Sequence, residues 1–275
     1  MSQSILLKGK KIRGRMDMKK GNIAIVNIEG IDGTGKSSII NTMCNKLFRN
    51  NENFILMKTP NYDLATGKLI NDLLMGRLVD DPFTVDPIAT SLCYTVDRLI
   101  GYRVSDMKER LDDFSNKGID ALVISDRSYM SNFFFQASRY ATENGKITPE
   151  SVKKNMEKIL DYIKLMKKLE IDNSYLSEYS NAIINIVLYH PDINTNIKLL
   201  DTRNTDKDKY ESNMDFLTNI SNFQQIFKLY EDSYIKSEYP EYYYNFIPCS
   251  TNDGGLFKIN DIADNVLLTI AKNLK

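Results

Sequence analysis

The sequence is short of histidine and cysteine, and it has no surplus charge of either sign. Its 275 residues hold one histidine, His190, and three cysteines, Cys44, Cys93 and Cys249. A single imidazole leaves a Ser/His/Asp triad, or a zinc site built from His and Cys clusters, without its parts. His190 stands before Pro191 at the end of an apolar run and reads as a structural residue. Three cysteines far apart in the chain suit free thiols in a reducing compartment better than a disulfide framework, so a cytoplasmic location is expected. Thirty-six basic and thirty-six acidic residues cancel to zero, which predicts no overall attraction to nucleic acid or to an anionic membrane. Any anion site must therefore be local. The longest apolar run, residues 182–189, falls far short of the roughly 18 residues that would cross a bilayer. The chemistry is left to Asp, Arg, Lys and the backbone.

No linker rich in proline or serine and no internal repeat divides the chain, so a single domain over residues 21–275 is expected. The basic first 20 residues are expected to be a disordered extension, with Met16 or Met18 as alternative starts, a transit peptide being the other reading. Five β-rich runs are predicted as strands, at 23–28, 54–58, 121–125, 184–189 and 244–248. Near-continuous apolar strands alternating with helical patterns predict an α/β fold with a parallel sheet covered on both faces. Ile40, Met43, Cys44, Leu47 and Phe48 recur at helical spacing, which predicts an amphipathic helix over 37–49 packed on that sheet. Asp86 and Pro87 read as the N-cap and first residue of another helix. Its apolar stripe, Ile88, Leu92, Val96 and Leu99, is expected to face the core, with Tyr94 and Arg98 pointing away. Further helices are predicted over 149–170 and 257–273, and the tyrosine-rich stretch before the last strand is expected to pack.

The most informative stretch is IVNIEGIDGTGKSSII, residues 25–40. Within it Gly30, Gly33, Gly35, Lys36 and Ser37 satisfy G-x-x-x-x-G-K-[ST] between a predicted strand and a predicted helix. Glycines let backbone N–H groups converge on an anion at the positive end of a helix dipole. Lys36 then reaches the β and γ phosphates and the Ser37 hydroxyl coordinates magnesium. The pattern predicts a nucleoside triphosphate with Mg²⁺. Asp126, ending the apolar run ALVIS, is the expected second magnesium ligand, and Arg127 after it is placed to bridge two phosphates.

The strings EGIDGTGKSS, TPNYDLATGKLINDLL, YTVDR, SDRSYMSNFFFQ and DTRNTDKDKYE, in this order across most of residues 23–270, resemble the thymidylate kinase family. The resemblance implies a P-loop NTPase-like three-layer fold with a five-stranded parallel sheet flanked by helices. It implies transfer of the γ-phosphoryl group of ATP to dTMP, and a homodimer. Carried over by position, it makes Tyr94 the stacking partner of the thymine ring and Arg98 a donor to a base oxygen. Asn132 and Gln136 would touch the base edge, Phe135 would press on the deoxyribose, and Asp32 would stand near the sugar 3′-hydroxyl. Gly30, Asp32, Gly33, Thr34, Gly35, Lys36, Ser37 and Ser38 would form the donor site. Catalysis would rest on Lys36, Asp126, Arg127 and, from a lid at about 201–211, Arg203. Phe133 and Phe134 read as helix core.

Two departures stand out. Pro60 is followed by Asn61 where the family commonly has an arginine for the monophosphate, and the lid carries Lys207 and Lys209 beside one arginine. The segment 141–180 also looks longer than a minimal member needs. Two other readings stay open. A deoxynucleoside kinase would want a carboxylate base after the second strand, where this chain has Lys58-Thr59-Pro60. A GTPase-like switch would want an N-K-x-D loop, which NTDKD fails in spacing.

Overall fold

The computed structural model describes residues 22–172, 174–202, 206–230 and 244–274. The expected N-terminal extension, Arg203 and residues 237–243 of the tyrosine-rich stretch lie outside the described residues.

Five strands form one parallel sheet: β1 (Ile23–Glu29), β2 (Phe54–Lys58), β3 (Ala121–Asp126), β4 (Ser180–Tyr189) and β5 (Tyr244–Pro248), in the order β2-β3-β1-β4-β5. The apolar runs predicted them because both sheet faces are covered. Ile23, Ile25, Val123 and Val187 enter one core, whereas Val26, Ile28, Ile124 and Ile186 enter the other. The second core is closed by α1 (Lys36–Arg49) and by the last helix, α12 (Ile259–Asn273). On the other face lie α2 (Ala65–Leu74), α3 (Pro87–Val104), α4 (Met107–Asn116), α5 (Tyr129–Gln136), α6 (Pro149–Lys154), α7 (Met156–Lys167) and α8 (Leu176–Tyr179). The short helices α9 (Ile193–Asp201) and α10 (Lys209–Ser212) lead into α11 (Met214–Tyr230). Register sets what meets at the sheet's C-terminal edge: Ile28 and Lys58 both pair with Asp126, so the ends of β1, β2 and β3 converge. Among the described residues no helix is long and apolar enough to cross a membrane.

Several details depart from the sequence expectation. The helix predicted over 149–170 breaks at Asn155 into α6 and α7 and then widens into a π-helical turn, Lys168–Asp172. Phe48 is 75% exposed, so α1 buries Ile39, Ile40, Met43 and Leu47 instead. The largest reversal concerns α3. Asp86 caps it through Ile88 N and Ala89 N as expected, yet Ile88, Leu92 and Val96 face outward, the last two 41% and 45% exposed. Ser91, Thr95, Arg98 and Tyr102 are buried instead, while Leu99 packs partly against the core. Amphipathic spacing marks a face that wants covering without saying what covers it. Polar side chains go inside when each finds a partner, and α3 finds them at one-turn intervals. Tyr162 Oη meets Ser91 Oγ, Glu170 accepts from Thr95 and Arg98, and Tyr175 Oη donates to Tyr102 O at 2.7 Å.

Phe133 and Phe134 are core, as expected. Phe133 is fully buried, with ring centroids at 4.8 Å from Phe227, 5.1 Å from Phe134 and 5.4 Å from Phe223. Phe133→Ala should therefore lower unfolding free energy by about 3–5 kcal/mol, measured by equilibrium denaturant titration.

Candidate active site

The site assembles at the convergent ends of β1 and β3. Glu29, the last residue of β1, is buried and accepts hydrogen bonds from Ser128 N at 2.7 Å, from Ser128 Oγ at 2.8 Å and from Ser131 Oγ. Burial pushes its carboxyl above the ordinary value, and the serine donors oppose that. Ser128 in turn caps α5 by accepting from Met130 N. The link from β1 to the first turn of α5 confines Asp126 and Arg127 to a tight bend. Arg127 takes a left-handed backbone with φ 72°, a strained conformation for a side chain of this size.

Across from this bend, β1 runs into the glycine loop. Gly33 has φ 80°, and a Cβ there would lie 2.4 Å from the Asn196 carbonyl oxygen of α9. Gly35, with φ 78°, opens α1. The loop is braced internally by Thr34, whose hydroxyl donates to Ile31 O at 2.5 Å. From α9 the Asn196 amide donates to Asp32 O at 3.1 Å and to Thr34 Oγ1 at 3.2 Å. Lys36 pairs with the Asp126 carboxylate and Arg127 with Asp32. Burial lowers the Lys36 pKa. Ser37 and Ser38 are exposed at the start of α1, whereas a Cβ at Gly30 would lie 2.9 Å from Leu188 O.

A cavity of about 440 Å³ joins these parts, lined among others by Gly33, Lys36, Ser37, Lys58, Tyr62 and Arg127. It suits a polyphosphate: backbone amides at a helix start, three cations and an exposed hydroxyl. Of the residues expected to hold a base and sugar, Asp32 lines this cavity, whereas Tyr94, Arg98, Asn132, Phe135 and Gln136 do not. The Arg127 guanidinium carbon stands 5.1 Å from the centre of the Phe135 ring. Tyr94, partly buried on α3, has its phenol pKa raised well above the ordinary value by burial, with Tyr210 raising it and Arg127 lowering it. Asn132 is buried and donates to Ser91 O at 3.3 Å. Gln136 is buried and turned toward Tyr210 of α10, donating to its hydroxyl at 3.3 Å and accepting from Arg139 at 2.9 Å. Arg98 is buried, with Nε and Nη2 bound to Glu170 at 2.6 Å.

Around the expected lid, Lys207 pairs with Asp201 at 2.5 Å. Asp208 caps α10 by accepting from Glu211 N at 2.8 Å, and burial lifts its carboxyl to about 6. The turn after Pro60 is pinned by the buried Asp97, which accepts from Asn61 N at 2.9 Å and from Thr66 Oγ1 at 2.6 Å. Glu29, Asn196, Tyr62 and Glu170 were not picked out from the sequence. An acid closing an apolar strand was a usable signal for Glu29. The sequence around Asn196 and around Glu170 reads as ordinary helix and carries no such signal.

A sequence model of the thymidylate kinase family matches residues 28–155, the stretch that carries the glycine loop, α3 and the Asp126–Gln136 segment. No curated protein matches the chain. Among solved structures, the fold is similar to that of thymidylate kinase from Candida albicans, at 18% identity and TM-score 0.54, covering 93% of this chain and 94% of that one.

Because Gly33 has neither a side-chain-compatible φ nor room for a methyl group, Gly33→Ala should cost roughly 1–3 kcal/mol of stability. It should also weaken binding of inorganic tripolyphosphate, read by calorimetry.

Proposed function

We propose that the chain is a nucleoside monophosphate kinase that transfers the γ-phosphoryl group of ATP to dTMP, giving dTDP and ADP. One observation carries this most directly: Lys36, Asp126 and Arg127 meet at the mouth of a glycine-braced loop, and Arg127 links that mouth to the Tyr94 and Phe135 side. The family match over the same residues supports it.

In this reading the amides of residues 30–38 hold the ATP phosphates, and Lys36 leaves Asp126 to neutralise the β and γ oxygens. Ser37 and Asp126 form an all-oxygen pair suited to Mg²⁺, with phosphate oxygens and water as the remaining ligands. When bound, the ion supplies charge neutralisation and alignment of the phosphates. Arg127 exchanges its pairing with Asp32 for the incoming phosphates and bridges donor and acceptor. Asp32, once released, is free for the sugar 3′-hydroxyl. Tyr94 stacks on the base, Asn132 and Gln136 line its edge, and Phe135 packs on the deoxyribose. Lys58, at the end of β2 in the same cavity, takes the acceptor-phosphate role that no arginine fills after Pro60. No general base is required, because the second pKa of the acceptor phosphate lies near 6 and it is largely dianionic at neutral pH. Rate then comes from positioning and from offsetting charge. Residues 201–211 act as the lid of a single domain over 21–275, with Arg203 its arginine.

A deoxynucleoside kinase is disfavoured by the end of β2, where a cation, not a carboxylate base, enters the cavity. A coupled ADP assay decides between the two. dTMP should turn over and thymidine should not, and turnover of thymidine alone overturns the assignment. Lys36→Ala should lower kcat by about 10²–10³-fold.

We also propose a homodimer located in the cytoplasm, the latter supported by three free cysteines. The dimer is supported by the outward stripe of α3, where Ile88, Leu92, Val96, Ile100 and Val104 recur every four residues and stay exposed. Leu92→Asp with Val96→Asp should convert dimer to monomer in sedimentation velocity.

A further inference from the structure

The stretch from α7 through the π-helical turn does more than lengthen the fold. It supplies the groups that hold the inner face of α3, and among them Glu170 is distinctive. Its side chain is fully buried and accepts three hydrogen bonds, each of 2.6 Å, from Thr95 Oγ1, Arg98 Nε and Arg98 Nη2. A carboxylate that takes the Nε and Nη2 edge of a guanidinium fixes the plane of the whole group. The third nitrogen, Arg98 Nη1, is buried with no hydrogen-bond partner among the described residues. A charged donor deprived of both water and an acceptor is costly, and a ligand acceptor would remove that cost. On the same side of α3, Ser91 is held by Tyr162 of α7 and by Asn132 of α5.

We propose that Glu170 is a positioning residue for substrate choice. It locks Arg98 so that Nη1 alone presents its N–H groups to the base, where they pair with the 4-oxo group of a pyrimidine and oppose the two hydrogens of a 4-amino group. This inference rests on the pocket being the pyrimidine site proposed above. Pairing also cancels the buried charge of Arg98, so recognition depends on the direction of a donor and not on net attraction. A guanidinium free to rotate would offer several donor geometries and tolerate a shifted ring.

The test is steady-state kinetics of the full-length protein on dTMP and dCMP, comparing parent, Glu170→Gln and Glu170→Asp, with circular dichroism to confirm folding. In Glu170→Gln an amide NH₂ faces the guanidinium and breaks the fork. The KM for dTMP should rise about tenfold with kcat within about twofold, and the preference for dTMP over dCMP should fall about tenfold. Glu170→Asp keeps the charge on a shorter arm and should move KM and preference the same way by a smaller factor. In an Arg98→Lys background, Glu170→Gln should change the preference no further. A purely structural role would lower the folded fraction and kcat while leaving KM and the preference unchanged. That pattern in either folded variant overturns the proposal. If the parent neither binds nor turns over dTMP, the reading of the site fails and this inference with it. If the parent is active and the Glu170 variants match it, this inference alone fails.

Discussion

The constraint on which the site depends is the buried carboxylate of Glu29. It ends the central strand and is accepted into the first turn of α5 by one backbone and two hydroxyl donors. A hydrogen bond contributes about 1 kcal/mol net, so three of them together offset the roughly 1–3 kcal/mol strain of a left-handed arginine at the Asp126–Arg127 bend. The strand that feeds the glycine loop thus also fixes the residues facing it. Parallel register completes the arrangement, since Asp126 lies level with Ile28 and Lys58.

Three cations in and around the site share a second property: each already holds a carboxylate. Lys36 has Asp126, Arg127 has Asp32 and Arg98 has Glu170. Burying a charge alone is prohibitive, and pairing makes these positions tolerable in the free protein. The pairs differ in what they permit. The first two line an open cavity, where phosphate oxygens can replace the carboxylates. In the third both side chains are 1% exposed, and the carboxylate stays where it is while Arg98 Nη1 is left without a partner among the described residues. A chain with zero net charge can in this way place several cations close together, each offset by its own carboxylate.

Much of this was legible in the sequence because it depends on local pattern. Apolar runs gave all five strands, two of them with matching bounds, since a parallel sheet covered on both faces leaves no other composition. The glycine loop was legible for the same reason: the φ values at Gly33 and Gly35 and the contact with Asn196 admit no side chain. The inner face of α3 was not legible. Spacing assigned Ile88, Leu92 and Val96 to the core, and the partners that reversed this, Tyr162, Glu170 and Tyr175, lie about 70 residues later in the chain. A buried Arg98 is affordable only with Glu170 beside it, and nothing local to either residue announces the other.

The seating of α9 on the glycine loop has a mechanical consequence. Where Gly33 meets the Asn196 carbonyl there is less free space than a methyl group occupies, and the Asn196 amide clasps the loop on either side of that point. Loop and helix therefore share one rigid seam with no slack. Any tilt of α9 must turn the amides of the loop as well, so helix and loop move as one body.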